Sequence, residues 1–266
     1  MKNKVGDEYW ALILGASSGF GEAACLEFAR AGYHIAGVHM DRRGTMPHVN
    51  QLIKKIEETG QQALFFNGNA ADEEQRMWAL DDLKERIWGV GRVKVMMHSL
   101  AFGALRPFIA DRLSGHISAA QMNMTLDVMA HSLVYWTQGL IRRKIMIAGG
   151  RIYAMTSSGG ARVLPSYGAV SAAKAALESH VRQLALELAP YGITINTIRA
   201  GVTDTPALRK IPGKDVLIDT ALARNPHDRL TTPEDVARAM VTFAADETAW
   251  MTGNVIGVDG GEDIVG

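Results

Sequence analysis

Residues 9–21 read "YWALILGASSGFG": an unbroken apolar run, then glycines at positions 15, 19 and 21. The apolar run suits a strand buried on both faces, and the residues that follow begin a helical pattern. Glycine at such a junction permits positive φ and lets the backbone approach a pyrophosphate. The free N–H groups of the helix N-terminus would then face its negative charge. The spacing is G-x-x-x-G-x-G. A tight turn without a ligand would also use glycine, but the strand–turn–helix context predicts a dinucleotide site.

Outward from this stretch, six more short apolar runs recur at 34–40, 62–67, 93–99, 151–157, 193–199 and 254–259. Helix-like segments lie near 19–31, 46–59, 72–88, 117–147, 167–189 and 233–245. "TTPEDVARAM" (231–240) opens the last of these, with Thr232 as N-cap, Pro233 in the first turn, and Glu234 and Asp235 near the positive dipole end. This alternation predicts an α/β fold: one domain over 1–266, with a doubly wound parallel seven-stranded sheet. Residues 200–231, rich in Gly, Pro and Thr, form the longest expected irregular stretch and are read as a substrate loop.

Composition narrows the function. Of 266 residues, 28 are Lys or Arg and 28 are Asp or Glu, so net charge is near zero. That argues against a nucleic-acid binder driven by phosphate neutralisation. The single cysteine, Cys25, excludes an internal disulfide and a multi-thiolate metal site, and fits a reducing compartment. The apolar run at 9–15 is too short for a signal or a membrane span, so a soluble cytoplasmic protein is expected. His98, His131 and His180 lack metal-ligand spacing and read as structural, with His98 lining the cofactor pocket; no metal is expected.

Two further stretches carry candidate chemistry. "SYGAVSAAK" (166–174) holds Tyr167 and Lys174 seven residues apart, almost two helical turns, so both can share one face. Tyr167 could equally be an aromatic packing under the loop at the helix entry. "VHMDRRG" (38–44), after the second strand, offers Asp41 for ribose hydroxyls and Arg42 and Arg43 for a 2′-phosphate. The two arginines could also be merely solvated. Arg209, Lys210 and Lys214 make a small basic cluster beside the expected substrate loop.

"GASSGFG" (15–21), "RAGVTDT" (199–205) and "NVIGVDGG" (254–261) resemble the cofactor loop, the loop after strand six and the last strand of the short-chain dehydrogenase/reductase superfamily. The likeness runs from about residue 9 to 262. It implies a Rossmann-like sheet, a nicotinamide cofactor and a dimer or tetramer. Usual members carry a tyrosine four residues before the lysine and a serine seventeen before it. Here those positions hold Val170, which can donate no proton, and Ser157. The Tyr-x6-Lys spacing resembles the enoyl-acyl-carrier-protein reductases of the superfamily, as does "HSLAFG" (98–103). Met129 stands where usual members have a relay asparagine. Ser157 also stands where many enoyl reductases have a second tyrosine. With "LRPF" (105–108) and "TPALRKIPGK" (205–214), this resembles the bacterial subgroup that prefers NADPH.

The resemblance therefore implies NADPH-dependent reduction of trans-2-enoyl thioesters carried by acyl carrier protein or coenzyme A, in a homotetramer, with NADH as the alternative cofactor. It implies catalytic roles for Tyr167, Lys174 and Ser157, with Lys174 binding ribose and tuning Tyr167, and Ser157 either contacting substrate or shaping the pocket. It assigns cofactor binding to Gly15, Ser17, Ser18, Phe20, Gly21, Arg42, Arg43, Asn69, Ala70, Ser99, Leu100, Ala101, Lys174, Gly201, Thr203 and Thr205. A displaced phenol suits conjugate reduction, where charge develops on a carbonyl oxygen beyond the carbon that receives hydride. Rival readings are a carbonyl or hydroxysteroid-type reductase, a dienoyl-CoA reductase, and a non-catalytic dinucleotide-binding protein.

Overall fold

In a computed structural model, residues 8–112 and 115–265 are described. The ends of the expected 1–266 domain, including 1–7, lie outside them. β1 (Glu8–Leu14), β2 (His34–His39), β3 (Ala63–Asn67), β4 (Gly91–His98), β5 (Arg151–Thr156), β6 (Thr194–Ala200) and β7 (Val255–Val258) form one sheet. Its order is β3-β2-β1-β4-β5-β6-β7, and every pairing is parallel. The order reverses beside β1, so the crevice between the carboxyl ends of β1 and β4 is the natural ligand site.

Successive β1 residues feed opposite layers. Trp10, Leu12 and Leu14 join the core with Leu80, Trp136 and Leu177; Ala11 and Ile13 join the other with Ala24, Phe28 and Met240. The first layer is covered by α3 (Glu73–Ile87), α5 (Ser132–Arg143) and α6 (Gly168–Leu188). The second is covered by α1 (Gly19–Arg30), α2 (Met46–Glu57) and α8 (Pro233–Phe243). Burial on both faces is why the strands read as continuous apolar runs.

The segment expected as one helix over 117–147 is α4 (Ala119–Leu126), a π turn at Asp127–His131 and then α5. The stretch expected to be irregular over 200–231 contains a 3₁₀ turn at Leu208–Lys210 and a helix, α7 (Lys214–Arg224). Its entry is set by Gly213, at φ 76°. The start of α8 follows the sequence: Thr232 Oγ1 accepts from Asp235 N–H at 3.2 Å, and the Asp235 carboxylate accepts from Thr232 N–H at 2.9 Å.

Candidate active site

A cavity of about 730 Å³ opens along the carboxyl ends of the strands. At its β1 end the backbone is the working surface. Gly15 has φ 86°, and a Cβ there would sit 2.5 Å from the Ser99 carbonyl oxygen. A Cβ on Gly21 would collide with the Gly15 carbonyl oxygen, so α1 can start directly under the loop only with glycine. Ser18 is the N-cap of α1 in extended backbone, and its side chain makes no capping bond. The loop, the uncapped helix start and the cavity size fit a dinucleotide pyrophosphate.

Of the residues expected at this end, Gly15, Ser17, Ser18, Phe20, Asn69, Ala70, Ser99, Leu100 and Ala101 line the cavity. Gly201, Thr203 and Thr205 line it from the loop after β6. Gly21, Arg42 and Arg43 are not part of its wall. Gly21 packs beneath the loop, and both arginines are exposed. Asp41 is not part of the wall either, but it is half-buried and directly follows His39 and Met40, which are. Burial pushes its carboxyl upward, but hydrogen bonds with Ser17, Thr45 and His39 prevail and hold it below the usual carboxylate range. His39 Nδ1 lies 3.0 Å from Asp41 Oδ2, and Asn67 pins the Asp41 backbone from both sides, at 3.0 Å each.

At the other end side chains dominate. Tyr167 is the N-cap residue of α6, 7% exposed. Lys174, two turns on, is 6% exposed, and its Nζ donates to the Met155 carbonyl at 2.7 Å. Burial pushes Lys174 down to about 8, against an upward pull from Glu178. Burial raises the Tyr167 hydroxyl, and a hydrogen bond with Ser157 offsets part of the rise. Ser157 is thus a group that acts on the phenol. Ser157 Oγ also accepts from Gly159 N–H at 3.1 Å, which fixes the turn that carries it. Tyr167, Lys174 and Ser157 all line the cavity.

Met129 and Val170, which fill the usual asparagine and tyrosine positions, pack together with Tyr167 and Ala173 in one buried apolar cluster. His98 does not line the cavity. It is fully buried, with Nε2 2.8 Å from Ser132 Oγ, and burial together with the Lys174 charge drives it to about 3, so it stays neutral. His131 Nδ1 and His180 Nε2 lie 3.0 Å apart. No cluster of three potential metal ligands occurs among the described residues, and no helix among them is long and apolar enough to cross a membrane.

Sequence reasoning missed the far wall. One face of α7, through Val216, Leu217, Thr220, Ala221 and Arg224, lines the cavity, as does Glu262. Burial raises the Glu262 carboxyl, while the Val202 N–H, 3.0 Å away, opposes that. Of the basic cluster, Arg209 is held by Asp204 at 2.8 and 2.9 Å and Lys214 by Asp215 at 2.8 Å; Lys210 lines the cavity.

A family model described as "Enoyl-(Acyl carrier protein) reductase" matches residues 15–262. The chain belongs to that family. It is a nicotinamide-dependent oxidoreductase of the short-chain dehydrogenase/reductase superfamily. The enoyl-[acyl-carrier-protein] reductase [NADH] of a Nostoc species is 30% identical over 240 residues, covering 88% of this chain and 89% of that one. The 3-oxoacyl-[acyl-carrier-protein] reductase of Thermotoga maritima is 28% identical over 250 residues, covering 94% and 96%. The Bacillus cereus enoyl-acyl carrier protein reductase, solved with NADP⁺ and indole naphthyridinone, superposes with a TM-score of 0.86 at 25% identity, covering 97% of each chain. The relatives of this chain thus include both an enoyl and a 3-oxoacyl reductase.

Proposed function

We propose that this member of the family reduces the carbon–carbon double bond of trans-2-enoyl thioesters, presented on acyl carrier protein or coenzyme A. The observation that supports this best is the buried cluster of Met129, Val170 and Tyr167. The position that would protonate a ketone-derived alkoxide holds valine, while the phenol is anchored one turn earlier, roughly 4.5 Å along the axis. A nicotinamide dinucleotide held along the loop at 15–21 and by Lys174 would supply the hydride. Hydride addition at the β-carbon moves the π electrons toward the thioester oxygen, giving an enolate. Tyr167, kept protonated by burial, hydrogen-bonds that oxygen. Delivery of one proton to the α-carbon completes net addition of H⁻ and H⁺, and solvent restores any proton the phenol gives. Ser157 orients the phenol, Lys174 binds the nicotinamide ribose, and the face of α7 with the loop at 200–213 covers the acyl chain.

For the cofactor, Asp41, held in its ionised form beside the cavity-lining His39 and Met40, favours NADH, because an acid at this junction can accept from ribose hydroxyls and repels a phosphate. NADPH remains the second reading, favoured by Arg42 and Arg43, which are exposed beside the same loop. Purified protein mixed with crotonyl-CoA, and separately with a panel of ketones, tests both by the loss of nicotinamide absorbance with NADH or NADPH. Oxidation with the enoyl thioester alone is expected; oxidation with ketones alone would overturn the reading.

A further inference from the structure

The last two residues of β5 and the first after it each hold one residue of α6 or its N-cap. The Met155 carbonyl accepts from Lys174 Nζ at 2.7 Å. Thr156 Oγ1 donates to Glu178 Oε1 at 2.6 Å. Ser157 hydrogen-bonds Tyr167. Two of these ties serve residues already given roles above; the third holds a carboxylate that the chemistry described so far does not use. Glu178 lies one helical turn beyond Lys174, on the same face. A Cβ on Gly160 would sit 3.3 Å from Lys174 Cβ and 3.8 Å from Glu178 Oε1, so glycine there lets the turn after β5 close over this pair.

We propose that Glu178, anchored by Thr156, is a positioning residue for Lys174: it fixes the lysine's turn of helix against the end of β5 and sets a compensating negative charge beside the buried ammonium. The need for such a charge follows from burial. An ammonium taken out of water releases its proton more readily unless an acid stands nearby. Lys174 is 6% exposed, and its hydrogen bond among the described residues goes to a neutral carbonyl. The other groups that face it do not supply the charge. His98, at the end of β4, is neutral and its electrostatic coupling to Lys174 is repulsive. Tyr167, on the same helix, is protonated. Met155, Thr156 and Ser157 carry no charge, and Arg162 on the following turn is engaged with Asp263 at 2.6 Å. Thr156 matters because a free glutamate on a helix surface would turn to solvent; its 2.6 Å bond keeps the carboxylate facing the sheet.

This inference rests on the assignment of Lys174 to the nicotinamide ribose, so the test reads dinucleotide binding and uses no thioester; a failure of the enoyl reading leaves it intact. Full-length wild type, Glu178→Gln and Glu178→Asp are titrated with NADH, and with NADPH in parallel, by protein fluorescence across the range where Lys174 loses its proton. Wild-type affinity should fall as pH rises through about 8. E178Q keeps an acceptor for Thr156 but not the charge, and should lose affinity about one pH unit lower. E178D should stay close to wild type. A wild-type midpoint in E178Q, or a midpoint in E178D displaced as far as in E178Q, overturns the proposal. Should E178Q fail to fold, Thr156→Val decides: it leaves the carboxylate unanchored, and an unchanged midpoint there contradicts the role given to Thr156 and Glu178 together.

Discussion

The two ends of the cavity are built from different parts of the chain. At the β1 end the surface is backbone: Gly15 and Gly21 remove side chains where the loop folds onto itself, and the start of α1 is left uncapped. At the β5 end the surface is side chain, held by residues at and just past the end of β5: Lys174 by Met155 and Tyr167 by Ser157, with Glu178, outside the wall, held by Thr156 between them. A backbone site depends on the absence of atoms, a side-chain site on their presence. The first should therefore fail by obstruction, and the second by loss of one group at a time.

Gly21→Val gives the sharpest break. With no room beside the Gly15 carbonyl, the loop must move, so dinucleotide binding should vanish and thermal stability fall; retained binding would mean the loop is not the phosphate end. At the other end, Tyr167→Phe should lower kcat by about 100-fold or more while dinucleotide affinity, read by titration, is unchanged. Unchanged turnover would remove the phenol from the mechanism. Asp41→Ala tests the one place where a side chain governs the backbone end. It should move the NADH-to-NADPH preference toward NADPH by about tenfold in kcat/KM; a shift toward NADH would show that Arg42 and Arg43 already hold a phosphate. Thr232→Ala, remote from both ends, should cost about 1 kcal/mol in chemical denaturation through loss of its helix cap. Dinucleotide affinity should not change, and if it did, the division between scaffold and site would be too sharp.

That division also explains what could be read from the chain beforehand. Strands buried on both faces announce themselves, and a glycine loop between strand and helix is local, so the sheet and the dinucleotide end were legible in consecutive residues. Tyr167, Lys174 and Ser157 were legible as offsets along one stretch. The Thr156–Glu178 tie was not, because it joins residues 22 apart through tertiary packing. Asp41 and its two arginine neighbours are equivalent on paper; only the bonds to Ser17, Thr45 and His39 distinguish the tethered acid from the two exposed arginines. α7 escaped notice because Pro212 and Gly213 precede it and its apolar face covers a cavity rather than the core. The π turn at Asp127–His131 leaves no mark in the apolar pattern, which runs on through Met129 and Leu133.

In the proposed reaction, hydride reaches the β-carbon of an enoyl thioester while a phenol displaced from the usual position meets the carbonyl oxygen. Incubating the protein with a dinucleotide deuterated at the transferring position, together with equal amounts of crotonyl-CoA and acetoacetyl-CoA, tests it most directly. Product analysis should find deuterium on the β-carbon of butyryl-CoA, with acetoacetyl-CoA left intact. Deuterium on the carbinol carbon of 3-hydroxybutyryl-CoA, with crotonyl-CoA untouched, would contradict the account and make the protein a ketone reductase with an unusual proton donor.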